Sequence, residues 1–276
     1  MSAPPRELDL VAAVRRETVS PEVAALLIAR DAKPDLDVDA QLARLDDLAG
    51  SLGEVRPGAS PREQAQQLAG HLFERWGFRG NEAEYFDPRN SYLDEVLRRR
   101  TGIPITLCLV LAAVGRRVGV QVEGIGFPGH FLARVGGLEG VLVDPFFGGR
   151  LLDATALERL AARMLGRADR LDPARHLAPV GLRPLVVRML LNLKHAHERR
   201  GEHARALVVC DRLVDLTAAP AFRRDRGLHA LALGAREQAV DDLSAYLEAE
   251  GDRAKDAARV RQALSRARAD EGPMPS

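Results

Sequence analysis

Pro104-Ile-Thr-Leu-Cys-Leu-Val-Leu-Ala-Ala-Val-Gly-Arg-Arg-Val118, closed by Gly119 and followed by Val120-Gln-Val-Glu123, is the stretch on which the fold turns. Proline suits the first position of a helix, where its missing N–H would be unpaired anyway. From Ile105 to Val118 almost every side is apolar: Ile105, Leu107, Cys108, Leu109, Val110, Leu111, Val114 and Val118. A helix that is apolar all round is buried on all sides. This one is shorter than the ~18 residues a bilayer span needs, so it is expected to be the central helix of a first domain. After Gly119 the period changes from helical to alternating. Residues 120–123, 131–135 and 141–143 read as strands, with 136–140 as a hairpin loop. That register pairs Val135 with Val141 and Leu132 with Asp144, and sets His130 opposite Phe146. His130 and Asp144 become diagonal neighbours on one sheet face, roughly 7–8 Å apart and within side-chain reach.

Upstream, Leu42, Leu45, Leu48 and Leu52 mark one face of a helix. Ser60-Pro61-Arg62-Glu63 has the spacing of a capping box and predicts a helix running to about Trp76. Residues 77–90 hold two glycines, Asn81 and Asp87-Pro88, which is turn chemistry. Loops of such length are usually functional or disordered. Asn90 or Ser91 is expected to cap a helix containing Leu93, Val96 and Leu97, which Gly102 ends. Downstream, Asp153 caps a helix over 154–165. The run Gly201-Glu-His-Ala-Arg-Ala206-Leu207 echoes Gly234-Ala-Arg-Glu-Gln-Ala239-Val240 at a shift of 33 residues, which also sets Leu213 on Tyr246. A period of about 34 in helix-turn-helix units is the signature of tetratricopeptide-type repeats, and about two units are too few to stand alone. The expected organisation is an N-terminal helical segment over 1–59, a core over 60–166, a linker over 167–180 and helical repeats over 181–276.

The 276 residues suit about two domains. With 40 basic against 39 acidic residues the net charge is +1, which argues against a polyanion binder that relies on a broadly basic surface. Two cysteines exclude a disulfide framework and a four-thiolate zinc site. There is no glycine-rich phosphate loop, dinucleotide fingerprint or basic recognition helix. No cofactor, nucleic acid or membrane is expected as a partner. The opening MSAPPRELDL lacks an apolar signal core, so a soluble cytoplasmic protein is expected. His195, His197 and His203 do not make a metal site: residues two apart on a helix do not share a face, and residues eight apart lie about 12 Å from each other.

Cys108, His130 and Asp144 are the residues that can carry chemistry. An aspartate bonded to one imidazole nitrogen fixes the tautomer and leaves the other nitrogen as a base. The turn Gly126-Phe127-Pro128-Gly129 can leave the imidazole at an open edge. The plainer reading is a strand-start histidine bonded to nearby backbone. Cys108 lies in the second turn of its helix, beyond the strongest dipole field, among apolar neighbours that raise a thiol pKa. It reads as a small core residue, as does Cys210. Thr106 is nearer the helix start, but its hydroxyl needs strong activation.

The runs Phe78-Arg-Gly-Asn81, Tyr85-Phe-Asp-Pro88-Arg-Asn90-Ser91-Tyr-Leu93, Arg100-Thr-Gly102-Ile-Pro104-Ile-Thr-Leu107, Gly124-Ile-Gly-Phe127-Pro-Gly-His130-Phe and Asp144-Pro-Phe-Phe-Gly148-Gly149 resemble the bacterial SirB (invasion-regulator) family. So do Arg188-Met-Leu-Leu-Asn192-Leu-Lys194, Arg224-Asp225-Arg226-Gly227 and Asp242-Leu-Ser-Ala-Tyr246-Leu. The resemblance covers most of the chain from about residue 60. It implies an α+β fold: a transglutaminase-like (papain-like) core with a central buried helix and a small antiparallel sheet, then tetratricopeptide-like helices. In the catalytic pattern a Cys opens the central helix, and His and Asp follow on adjacent strands. His130 and Asp144 match that pair. Counting back from Gly119 over the pattern's spacing lands on Pro104, not Cys108. Two functions follow. One is a non-catalytic protein- or peptide-binding scaffold, its degenerate cleft formed by His130 and Asp144 with Asn81, Asn90, Thr106 and Phe127 as binding candidates. The other is a thiol enzyme for acyl transfer, with Cys108 as nucleophile, His130 as base and Asp144 as orienter. The oligomeric state stays open.

Overall fold

The structure, a computed structural model, describes residues 9–56, 58–165, 171–251 and 254–269. The chain divides into two compact units, with the boundary between Met189 and Leu190. The first is built around α6 (Pro104–Arg117), whose residues 104–111 and 113–115 are buried. Pro104 sits in the first turn, as its fixed φ favours. The helix ends in a Schellman motif: Gly119, at φ +75°, donates its N–H to the Arg116 carbonyl at 3.2 Å, and Val120 donates to the Gly115 carbonyl at 2.8 Å. Val120 is thereby tied to the helix, so the next strand opens at residue 122 rather than at 120.

Four antiparallel strands form one sheet in sequence order: β3 (Val122–Ile125), β4 (Leu132–Val135), β5 (Val141–Asp144) and β6 (Arg150–Leu152). Val135 pairs with Val141 and Ala133 with Val143, which is the register that the hairpin spacing predicts. β6 was not expected. It is three residues long, too short to show a period, and it follows a turn in which Gly148 and Gly149 both take positive φ. On one side of the sheet, Ile125, Phe127, Leu132, Leu152, Leu157 and Leu160 form an apolar cluster that includes α7 (Ala154–Leu165).

Ahead of the core run α1 (Leu10–Arg15), α2 (Pro21–Ala32) and α3 (Val38–Gly50), with Leu45 and Leu48 buried. In α4 (Pro61–Ala69) the capping box is formed: the Glu63 N–H donates to Ser60 Oγ at 3.3 Å, and the Ser60 N–H donates to Glu63 Oε2 at 2.8 Å. The helix continues to Arg75 as a π-helical turn over Gly70–Arg75. The polar stretch after it is not structureless. It contains β1 (Arg79–Gly80), which pairs in parallel with β2 (Thr101–Gly102), and a 3₁₀ turn over Pro88–Asn90. α5 (Leu93–Arg99) is capped at Tyr92, not at Asn90 or Ser91, because Asn90 belongs to that 3₁₀ turn. Of the stretch expected as a linker, residues 167–170 lie outside the described residues, as does Gly166 before it. Residues 171–180 carry α8 (Pro173–His176), and Val180 donates its N–H to the Gly124 carbonyl at 2.8 Å, so they join the first unit.

The chain passes into the second unit within α9 (Leu182–Arg199). That unit continues through α10 (His203–Leu216), α11 (Pro220–Ala232), α12 (Arg236–Glu250) and α13 (Ala257–Ala269). The sequence echo is a structural repeat: Gly201 and Gly234 take φ +68° and +78°, and each precedes the next helix by two residues. The equivalent Leu213 and Tyr246 are both buried. Arg226 on α11 ties the units of the repeat together, with 2.7 Å bonds to both carboxylate oxygens of Asp242 and 2.9 Å to Asp211. Among the described residues no helix is long and apolar enough to cross a membrane.

Gly149 lies in the turn that leads into β6, tightly packed against α4 and the π-helical turn. It takes φ +70°, and a Cβ there would lie 2.2 Å from Phe73 Cδ2 and 3.0 Å from the Ala69 Cβ. Gly149→Ala is expected to cost about 2–4 kcal/mol, from left-handed strain plus overpacking. Urea unfolding followed by the fluorescence of Trp76 measures it, and an unchanged midpoint would refute this packing.

Candidate functional site

The site begins with a tight turn. Phe127 is fully buried and anchors it in the apolar cluster below the sheet. Pro128 and Gly129 occupy the central positions, Gly129 at φ +65°, and the His130 N–H closes the turn on the Phe127 carbonyl at 3.0 Å. This is the sequence of a type II turn, in which proline pre-sets the first central residue and glycine supplies the positive φ of the second. The turn sets His130 just before β4, while the hairpin brings Asp144 to the end of β5. His130 Nε2 lies 2.9 Å from Asp144 Oδ1, with the imidazole 5 % and the carboxylate 0 % exposed. A carboxylate oxygen only accepts, so Nε2 carries a proton, and in the neutral ring Nδ1 holds the lone pair. Among the described residues no hydrogen bond engages Nδ1.

Two arginines that sequence reasoning did not single out as site residues hold this pair. Arg150 Nη2 donates to Asp144 Oδ2 at 3.3 Å and stacks on Phe147, its guanidinium carbon 5.0 Å from the ring centroid. A buried carboxylate is costly unless its lone pairs are met, and here both oxygens have a partner. Arg188, from α9, reaches the turn from the other side. Its Nη2 donates to the Phe127 carbonyl at 3.0 Å and to the His130 carbonyl, and its guanidinium lies 5.2 Å from the Phe131 ring centroid. Burial lowers the Arg188 pKa from its ordinary value, against a small opposing pull from Tyr85. The only sequence signal for Arg188 was its place in a family-like run.

Aromatic rings line the same place. His130 has Phe146 at 6.3 Å and Phe147 at 6.1 Å between centroids, and Tyr85 packs edge-on against both Phe146 and Phe86. Tyr85, Phe86 and Phe147 remain exposed. Gly80 makes the approach possible, since a Cβ there would lie 2.6 Å from Phe146. Exposed aromatic faces beside a polar pair are the common make-up of a ligand site.

Cys108 is not part of this arrangement. It is 1 % exposed, and its Sγ donates to the Leu132 carbonyl at 3.4 Å. Burial pushes its pKa well up. Among the described residues no hydrogen bond joins it to His130. Cys210 is likewise buried, its thiol pushed up to about 12. Thr106 is fully buried, and its hydroxyl accepts from the Ile103 N–H at 3.1 Å and donates to the Asn90 carbonyl at 2.8 Å. Asn81 and Asn90 bond to each other at 3.1 Å. Asn90 also donates to the Glu84 carbonyl at 2.8 Å, and Asn81 Oδ1 accepts from the Glu84 N–H at 3.0 Å. The polar atoms of these three residues serve the loop over residues 81–90 and the start of α6. Among the described residues no group of three His, Cys, Asp or Glu side chains has the geometry to hold a metal ion. His197 instead meets Glu202 at 2.6 Å, and His203 meets His229.

Comparison with known proteins agrees with this architecture. The sequence model of the transglutaminase-like superfamily matches residues 39–191, and that of a tetratricopeptide repeat matches residues 193–265. A Xylella fastidiosa protein named "UPF0162 protein" is 40 % identical over 243 residues, 86 % of each chain. A Pseudomonas aeruginosa protein of the same description is 34 % identical over 194 residues, 70 % of each chain. Mouse "F-box only protein 21" is 43 % identical over 76 residues, which is 27 % of this chain and 12 % of that protein. No solved structure matches.

Replacing Arg188 by Met leaves the Phe127 and His130 carbonyls without their donor. The expected cost is about 2–4 kcal/mol, with partial recovery in Arg188→Lys. Urea midpoints of the two variants measure this. Equal stability of wild type and Arg188→Met would show that the arginine does not hold the turn.

Proposed function

The chain belongs to the transglutaminase-like superfamily, and from that premise we propose that it is a peptide-binding scaffold and not a thiol enzyme. The observation that carries the reading is the position of Cys108: buried, its S–H committed to the Leu132 carbonyl, its pKa raised by burial. A nucleophilic cysteine needs the reverse, a lowered pKa at an accessible site. The first turn of α6 holds Pro104 instead, which has no nucleophile to offer. What persists is the imidazole–carboxylate pair beside exposed aromatic rings, and this supports a cleft that takes a peptide side chain or a small ligand. His130 borders that cleft, and the fully buried Asp144 orients its imidazole from behind. Asn81, Asn90, Thr106 and Phe127 hold the loop and turn that shape it.

The tetratricopeptide helices supply a second surface, since such repeats generally bind proteins. The runs quoted from the sequence support reading the chain as a member of the SirB (invasion-regulator) family. It works in the cytoplasm, with a protein partner and without nucleic acid, membrane or cofactor. The 2.9 Å contact between His130 and Asp144 is the one feature that favours the alternative, a Cys108–His130–Asp144 acyl-transfer enzyme, because it is how a general base is oriented.

Iodoacetamide labelling at mildly alkaline pH separates the two. The native protein is expected to carry no adduct on Cys108, and both cysteines are expected to label in urea. Rapid native labelling of Cys108 that collapses in His130→Ala would overturn the scaffold reading in favour of the enzyme.

A further inference from the structure

The second unit has a groove of about 880 Å3, lined by parts of α9, α10, α11 and α13, the turn at Gly234 and the first residue of α12. Its floor is a chain of alternating charges. Lys194 Nζ lies 2.9 Å from Glu198 Oε1 and 2.7 Å from Asp225 Oδ2. Arg224 reaches Asp225 at 2.6 Å and Asp256 at 2.7 Å, and the Tyr246 hydroxyl donates to Asp256 at 2.6 Å. His229 Nε2 sits 3.3 Å from Glu198, and its Nδ1 faces that of His203 at 3.1 Å. Burial opposes ionisation of Glu198, yet hydrogen bonds from His229 and Lys194 hold its pKa down at about 2. Every carboxylate in the lining therefore already has a cation or a donor.

The converse does not hold for the cations. Five permanently charged residues line the groove against three carboxylates. Among the described residues, Arg259 and Arg266 make no hydrogen bond or ion pair. Both lie on α13, seven residues apart, hence on one face and about 10 Å from each other along the axis. Carboxylates two to four residues apart on an extended chain are about 7–13 Å apart, which brackets that interval. Leu228 and Leu231, half-buried, add an apolar wall.

We propose that this groove binds an extended acidic peptide segment, its carboxylates on Arg259 and Arg266 and its intervening apolar side chains against Leu228 and Leu231. A polyphosphate backbone fits worse. The floor keeps three carboxylates, and the whole chain carries a net charge of only +1. The proposal rests on the scaffold reading only in treating the repeats as a binding surface. Its test reads the groove directly and says nothing about Cys108 or the cleft.

The probe is a fluorescein-labelled decapeptide of alternating Glu and Leu, titrated with the full chain by fluorescence anisotropy. Saturable binding is expected, weakening with added salt and falling about tenfold or more in Arg259→Glu/Arg266→Glu, as two lost exposed ion pairs and two new repulsions imply. The control Arg159→Glu/Arg163→Glu, on the exposed face of α7, is expected to bind like wild type. Circular dichroism and melting are expected to be unchanged in both. Absence of saturable binding would overturn the proposal. So would equal affinity for the matching Gln–Leu peptide, an unaffected Arg259→Glu/Arg266→Glu variant, or stronger displacement of the probe by oligo-dT than by unlabelled peptide.

Discussion

The hydrogen bond between His130 and Asp144 organises the first unit. A fully buried carboxylate is expensive, and it is tolerated here because the imidazole meets one oxygen and Arg150 the other. Meeting those partners requires a fixed hairpin register, since a one-residue slip would turn Asp144 to the other face. It also requires a turn that delivers His130 at the right height. The turn depends in its sequence on Pro128 and Gly129, in its packing on the buried Phe127 and in its polar contacts on Arg188.

The same geometry keeps the oriented imidazole apart from the thiol. The nitrogen that a nucleophile would use is left free by the contact with Asp144, but the Cys108 thiol sits in the second turn of α6. There it faces the backbone of β4 and lies in the core. Burial then works against thiolate formation, and no cation among the described residues offsets it. An aromatic rim of Tyr85, Phe86 and Phe147 stays exposed beside the pair. The similarity runs over 86 % of the Xylella fastidiosa relative and 70 % of the Pseudomonas aeruginosa one, while the 76-residue match to an F-box protein concerns only a part of this chain.

Where the sequence had strong local chemistry, the fold could be read from it. The central helix, its proline start, the capping box at Ser60, the hairpin register and the 33-residue repeat each rest on patterns that tertiary contacts only reinforce. What escaped was short or non-local. β1, β2 and β6 are two or three residues long and have no period to detect. The displaced start of β3 follows from a C-terminal helix motif that claims Val120. Asn90 was read as a cap or a ligand contact, but its side chain bonds to Asn81 and to the Glu84 carbonyl, which only the folded loop brings together. Arg150 and Arg188 reach the site across the fold, from six and 58 residues beyond Asp144 and His130, and nothing in their neighbours announces it.

The central claim is that the imidazole is oriented by Asp144 and uncoupled from the thiol. The most direct test is the ring 15N spectrum of His130 in wild type and in Cys108→Ala. At alkaline pH the account predicts a ring protonated on Nε2 alone in both proteins, with the same Nδ1 shift. A wild-type ring carrying protons on both nitrogens at alkaline pH, reverting to neutral in Cys108→Ala, would reveal a thiolate–imidazolium pair and contradict it.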